Sequence, residues 1–126
     1  MRGTFGRSGI AATVLLALGA AAPGIGEAIA EEGGMAEMMK EGEGLFLVNC
    51  RQCHGTKGTA GTPLANNAKL EDPVYIGKTI ITGPGYMTAF ADHLDDEQIA
   101  LIATFIRNSW GNEYGPVTAD EIAAAR

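Results

Sequence analysis

The segment Cys50-Arg51-Gln52-Cys53-His54 holds two thiols three positions apart, with an imidazole directly after the second. This C-x-x-C-H pattern is an attachment signal for a c-type haem. Two thiols at that spacing can each add to one vinyl group of the same porphyrin. The next residue, His54, is then held under the iron as an axial nitrogen ligand. Three other chemistries use the same residue types. A thioredoxin-like dithiol needs a preceding strand and a βαβ context, which the surrounding sequence does not offer. A zinc site needs more ligands, and His93 is the only further histidine. A plain disulfide suits an exported cysteine pair but gives His54 no task.

The elements that must position these residues are helical. From Met35 to about Cys50, apolar Met38, Leu45 and Phe46 recur among charged neighbours. Gly42 and Gly44 weaken that helix by about 1 kcal/mol each relative to Ala, and a helical Gly often marks close approach of another element. Residues 31–34 read as a frayed terminus. Residues 55–67, rich in Gly, Thr, Pro and Asn, read as a loop. Asp72-Pro73 suits a helix start with Pro at the first position, which predicts a short helix over Val74–Ile81. Gly83-Pro84-Gly85 makes a tight loop that leads into Met87.

The clearest helix runs from Asp95 to Asn108. Asp95 and Gln98 form a capping box, and Ile99, Ile102, Phe105 and Ile106 share an apolar face. Arg107 lies in the last turn, where a cation suits the helix dipole, and Gly111 is placed to terminate the helix. A second capping box, Thr118 with Glu121, opens a short helix towards Arg126. No stretch alternates at period two for long and no repeat is present. The expected fold is all-α, with short helices joined by long loops around one covalent haem.

Residues 1–30 have the layout of a secretory signal peptide. Arg2 and Arg7 precede an apolar run, Ile10 to Ala22, interrupted only by Thr13 and Gly19. Pro23, Gly24 and Gly26 then act as helix breakers, and Ala28-Ile29-Ala30 offers a small-x-small cleavage site before Glu31. The run of 13 residues from 10 to 22 is short of the ~20 that a spanning helix needs. Cleavage is therefore expected over retention as an uncleaved membrane anchor. Arg2 and Arg7 are not adjacent, which argues against the twin-arginine route. The mature domain would be residues 31–126, exported and, in a bacterium, periplasmic.

Composition agrees with one small domain. The chain has 126 residues, 9 Lys+Arg against 15 Asp+Glu, and 2 cysteines. The net charge of −6 argues against a nucleic-acid partner, which calls for a basic stripe. Removing Arg2, Arg7 and Glu27 leaves 7 basic and 14 acidic side chains, so the mature charge is −7. Two cysteines are too few for a disulfide scaffold and the right number for one haem. Gly is 18 of 126, about twice the usual ~7%. Aromatics are only 6%, a shortage of bulky core residues that a buried porphyrin would offset.

Over residues 36–115 the sequence resembles a class I, monohaem cytochrome c. "GEGLFLVNCRQCHG" resembles the family's first helix, with Gly42 and Phe46 in its Gly-x-x-x-Phe positions. "LIATFIR" resembles the last helix, with Ile102 and Phe105 in the aliphatic and aromatic positions. The resemblance implies that these two helices cross at Gly42. "TPL" resembles the family's Pro-Leu after the haem motif. It implies that the Pro63 carbonyl accepts a hydrogen bond from the His54 ring and that Leu64 packs on the porphyrin. "GPGYMTAFADHLDDEQIA" resembles the methionine-ligand segment, which implies Met87 as the sixth iron ligand. His93 is the rival ligand, and Met35, Met38 and Met39 are rivals by composition only.

With His54 and Met87 both bound, the iron has no open site and can exchange a single electron. The expected function is periplasmic electron transfer without substrate chemistry. The alternative is a small peroxidase or gas-binding sensor with a labile sixth site, and a haem-free disulfide module is a third reading. "FIRNSWGNEYGPVTADEI" is similar to the end of cytochrome c domains that serve periplasmic dehydrogenases and reductases. It implies a redox enzyme as partner: a dehydrogenase, a reductase or a terminal oxidase. The acidic charge favours a partner with a basic docking patch, while Lys57, Lys69 and Lys78 are candidates for a local basic rim. Trp110 is expected to pack at the helix end rather than to relay electrons.

Overall fold

The computed structural model describes residues 25–126, with side chains from residue 33 onwards. Five α-helices and one 3-10 turn follow in order: α1 Ile25–Asn49, α2 Arg51–His54, the 3-10 turn Ala68–Glu71, α3 Pro73–Thr82, α4 Asp96–Arg107 and α5 Ala119–Ala125. No strand occurs among the described residues. The fold is all-α, as the sequence predicts.

The organising element is α4. Ile99, Ile102, Phe105 and Ile106 are all buried, and so are Ala100, Ala103, Thr104 and Arg107. A helix buried on so much of its circumference needs neighbours on several sides. α1, α3, α5 and the 3-10 turn all pack against it. α3 and α5 also pack on each other, whereas α1 touches only α4 and α2. The core that results joins Phe46 of α1 to Ile76, Ile80 and Ile81 of α3 and to Ile122 of α5.

The crossing of α1 and α4 has the predicted form. Gly42 is buried against Leu101 and Phe105, leaving no room for a side chain. One turn on, Phe46 meets Phe105 at 5.4 Å and Trp110 at 5.2 Å between ring centroids, and Phe105 meets Trp110 edge-on at 5.3 Å. Such tilted pairs suit the aromatic quadrupole. Trp110 is a packing residue at the helix end, as expected, and its ring also covers Gly58.

Both capping boxes are present, Asp95 with Gln98 and Thr118 with Glu121. Asp72 caps α3 by accepting from the Val74 N–H at 2.9 Å, with Pro73 in the first turn. One boundary differs from expectation. The described part of α1 runs from Ile25, so Gly26 does not interrupt it and residues 31–34 are helical rather than frayed. The strong helix formers around Gly33 and Gly34, mainly Ala, Glu and Met, outweigh about 1 kcal/mol per glycine. The predicted leader therefore straddles a boundary: residues 1–24 lie outside the described residues, and 25–30 belong to α1. α4 runs as expected to Asn108, which caps it in place of Gly111. Asn108 closes it, its side chain donating to Thr104 O at 2.7 Å and to Gly115 O at 3.0 Å.

Candidate haem site

The motif sits where α1 turns into α2. Cys50 leaves the helix with φ −120° and acts as the first residue of the new turn, its carbonyl accepting from the N–H groups of Cys53 and His54. Both thiols are free, with Cys50 half-buried and Cys53 exposed. Burial, and then the neighbouring Cys53, push the Cys50 thiol from 9.0 up to about 11. No group of three or more His, Cys, Asp and Glu side chains capable of holding a metal ion occurs among the described residues.

His54 is fixed by its ring. Its Nδ1 faces the Thr62 carbonyl oxygen at 3.2 Å, which leaves Nε2 as the nitrogen for a metal. This corrects the expected partner, the Pro63 carbonyl. That oxygen is turned away and accepts instead from the Asn67 side-chain amide at 2.9 Å. The Thr62 bond can play the same part, orienting the ring and raising its basicity.

The segment after the motif is held by its backbone. Gly58 O accepts from both the Leu64 N–H at 2.8 Å and the Ala65 N–H at 3.1 Å. Leu64 is half-buried against the core. At the other end of the site, the loop between α3 and α4 carries Met87. Gly83 closes α3 in the left-handed conformation, φ +58°. The backbone of Met87, Thr88 and Ala89 passes directly over Gly83, where any side chain would collide with it. Met87 N–H donates to Pro84 O at 3.2 Å and Phe90 N–H donates to Ile80 O at 3.1 Å. Met87 and Phe90 are half-buried against the same core as Cys50 and Leu64. His93, by contrast, is exposed.

The arrangement fits a porphyrin on two counts. Among the helices α2 packs on α1 alone, while the Met87 loop leaves the end of α3, and Cys50, Leu64, Met87 and Phe90 all pack, partly buried, against one core. The donor set is two thiols, an imidazole with one nitrogen engaged and a thioether, which is that of a covalent haem rather than of a bare ion. No described helix is long and apolar enough to cross a membrane.

Lys40 pairs with Glu37 at 3.7 Å and Arg126 pairs with Asp96. Arg51, Lys57, Lys69 and Lys78 are exposed and form no ion pair among the described residues. Lys69 shares a surface groove with Thr62, Pro63 and Tyr75.

Three residues that hold the site were not legible as such in the sequence. Arg107 is buried, and its guanidinium donates to four carbonyls: Leu70 at 2.7 Å, Glu71 at 2.8 Å, Gly115 at 3.0 Å and Pro116 at 3.1 Å. It ties the 3-10 turn before α3 and the segment before α5 to the end of α4. Asn67 and Asn112 bond the loop after the motif to the same helix end. In the sequence all three are ordinary polar residues beside a helix terminus, and only tertiary contact reveals their work.

Comparison with known proteins adds a family. The family model described as cytochrome c oxidase, cbb3-type, subunit III matches residues 37–106. The gluconate 2-dehydrogenase cytochrome c subunit of Pantoea cypripedii is 32% identical over 104 residues, covering 68% of this chain and 24% of that protein. The cytochrome c subunit of the quinone alcohol dehydrogenase of Gluconobacter oxydans (strain 621H) is 31% identical over 103 residues, covering 68% and 22%. The chain thus spans about a quarter of the length of these relatives. With the haem motif at the α1–α2 turn, the glycine-mediated crossing of α1 and α4 and a matched span of residues 37–106, the chain belongs to the cytochrome c family that the cbb3-type subunit III model describes.

Proposed function

We propose that residues 31–126 form a periplasmic single-electron carrier with one covalent c-type haem, and that residues 1–30 are a signal peptide removed on export. Cys50 and Cys53 would tether the haem, and His54 and Met87 would hold its iron. The observation that carries this reading is the α1–α2 turn, where two free thiols flank a helix end and His54 Nδ1 is engaged by Thr62 O. When bound, a c-type haem supplies a one-electron iron couple. The protein's own part is to hold and shield it. The two thiols fix its position, Thr62 orients the His54 ring, Leu64 and Phe90 offer apolar cover, and Gly83 lets the Met87 loop lie close against α3. If His54 and Met87 both hold the iron, no site would be left for O₂ or peroxide.

The partner is a redox enzyme. The names of the two relatives favour a dehydrogenase, with this chain receiving or passing on single electrons. The mature charge of −7 suits a partner whose docking face is basic. Association would then be fast at low ionic strength and slow with added salt.

The test is the absorption spectrum of the exported protein, produced with c-type haem maturation, in oxidised and reduced forms. The expected result is a pyridine haemochrome of a haem bound through two thioethers, a sulfur-to-iron charge-transfer band when oxidised, and no CO binding when reduced. The mass should correspond to residues 31–126 plus one haem. Ready CO binding in place of the charge-transfer band would favour the peroxidase or sensor reading. Absence of haem would sink both.

A further inference from the structure

Asn112 is 2% exposed, yet it lies in a polar loop with no assigned role. Its amide is fully engaged. Nδ2 donates to Leu64 O at 2.8 Å and to Ile106 O at 3.0 Å, and Oδ1 accepts from the Asn67 N–H at 2.9 Å. Ile106 belongs to α4, the most buried helix of the fold. Leu64 and Asn67 belong to the loop after the haem motif. One side chain therefore bonds that loop to the core helix across 45 and 48 positions of sequence.

The bonds continue towards the metal-binding histidine. Asn67, held by Asn112, donates through Nδ2 to Pro63 O at 2.9 Å. Pro63 follows Thr62, whose carbonyl accepts from His54 Nδ1 at 3.2 Å. That carbonyl belongs to an exposed residue and no regular element carries it. Its position depends on the bonds made just after it in the loop.

We infer that Asn112 is a positioning residue for the proximal ligand: through Asn67 and Pro63 it sets the Thr62 carbonyl against His54 and so tunes the basicity of that ligand. The inference rests on the reading of His54 as an iron ligand. A hydrogen bond to Nδ1–H gives the imidazole more donor strength towards the metal. Stronger donation favours ferric iron. Loss of the clamp should weaken the bond, raise the reduction potential and weaken the iron–histidine linkage.

The test uses the haem-loaded full chain and two variants. Asn112→Leu removes all three bonds at similar volume. Asn67→Asp keeps the cap that accepts from Lys69 N–H at 3.1 Å but loses the donation to Pro63 O. Potentials are measured for each. The iron–histidine stretching frequency is read by resonance Raman in the ferrous state on a Met87→Ala background. Both variants should show a raised potential and a lower stretching frequency, the shift being larger for Asn112→Leu. A role confined to stability would lower the melting temperature and leave the frequency unmoved, which would overturn the inference. If Asn112→Leu does not accumulate with haem, Asn67→Asp decides alone: a wild-type frequency and potential in it overturn the inference. If the parent protein lacks haem or an iron–histidine band, the reading of His54 fails first, and this inference falls with it.

Discussion

Gly42 and Phe105 touch backbone to side chain: a methyl group added to Gly42 would lie 2.8 Å from Phe105 Cβ and overlap the Leu101 carbonyl. Two positions on in the same helix, a methyl group on Gly44 would meet nothing within 4 Å. The same substitution should therefore act in opposite directions. Gly42→Ala forces α1 off α4 and should destabilise by about 1–3 kcal/mol, the usual cost of overpacking, less what helix propensity returns. Gly44→Ala should stabilise by about 0.5–1 kcal/mol. Urea unfolding midpoints of the two haem-loaded variants, compared with the parent, measure both.

Arg107 should be among the least replaceable side chains. Its four carbonyl partners are reached by a planar fork that Lys cannot reproduce. Arg107→Met leaves those oxygens without their donors, and a loss of about 3 kcal/mol or more is expected. Arg107→Lys should recover only a minor part. Thermal unfolding followed by helical circular dichroism separates the two. Equal stability of Lys and Arg at this position would refute the role of the fork.

The sixth ligand can be assigned by a pair of variants. Met87→Ala should remove the charge-transfer band of the oxidised protein and open the reduced protein to CO. His93→Ala should change neither, because His93 is exposed and Met87 is partly buried against the core, as are Leu64 and Phe90. The reverse pattern would make His93 the ligand.

The thiols give a pH test in haem-free protein. Burial holds the Cys50 thiol up to about 11, against an ordinary 9.0. A group with a raised folded-state pKa contributes stability that is fully present below the unfolded value and is lost as pH rises through the folded one. Folded haem-free protein should thus keep a constant stability up to about pH 9 and lose some of it between pH 9 and 11. In the loaded protein both sulfurs are thioethers, and this loss should disappear. Alkylation near neutral pH should reach exposed Cys53 before half-buried Cys50, as read by mass spectrometry of the modified peptide.

Local chemistry explains which parts were legible beforehand. Asp95 with Gln98, Thr118 with Glu121 and Asp72 before Pro73 define helix starts through bonds between near neighbours, and all three stand where predicted. The apolar spacing of Ile99, Ile102 and Ile106 marked the buried face of α4 for the same reason. Residues 31–34 are helical rather than frayed because the helix formers around Gly33 and Gly34 outweigh the two glycines. Arg107, Asn112 and the Thr62 carbonyl depend on partners about 35 to 50 positions away, or on a backbone oxygen that has no letter in a sequence. Pro63 and Thr62 differ by one peptide unit, a choice that only the folded loop makes.

Trp110 is the sole tryptophan of the chain, and its ring lies over Gly58, four residues beyond His54, and against Phe46, four residues before Cys50. Its emission is therefore an optical gauge built into the motif's immediate surroundings. A porphyrin tethered at Cys50 and Cys53, as proposed, would accept that excitation energy and darken the indole, and separation of the C-terminal end of α4 from α1 would restore the emission. Haem insertion and helix parting can thus be timed on one unlabelled molecule by one colour of light.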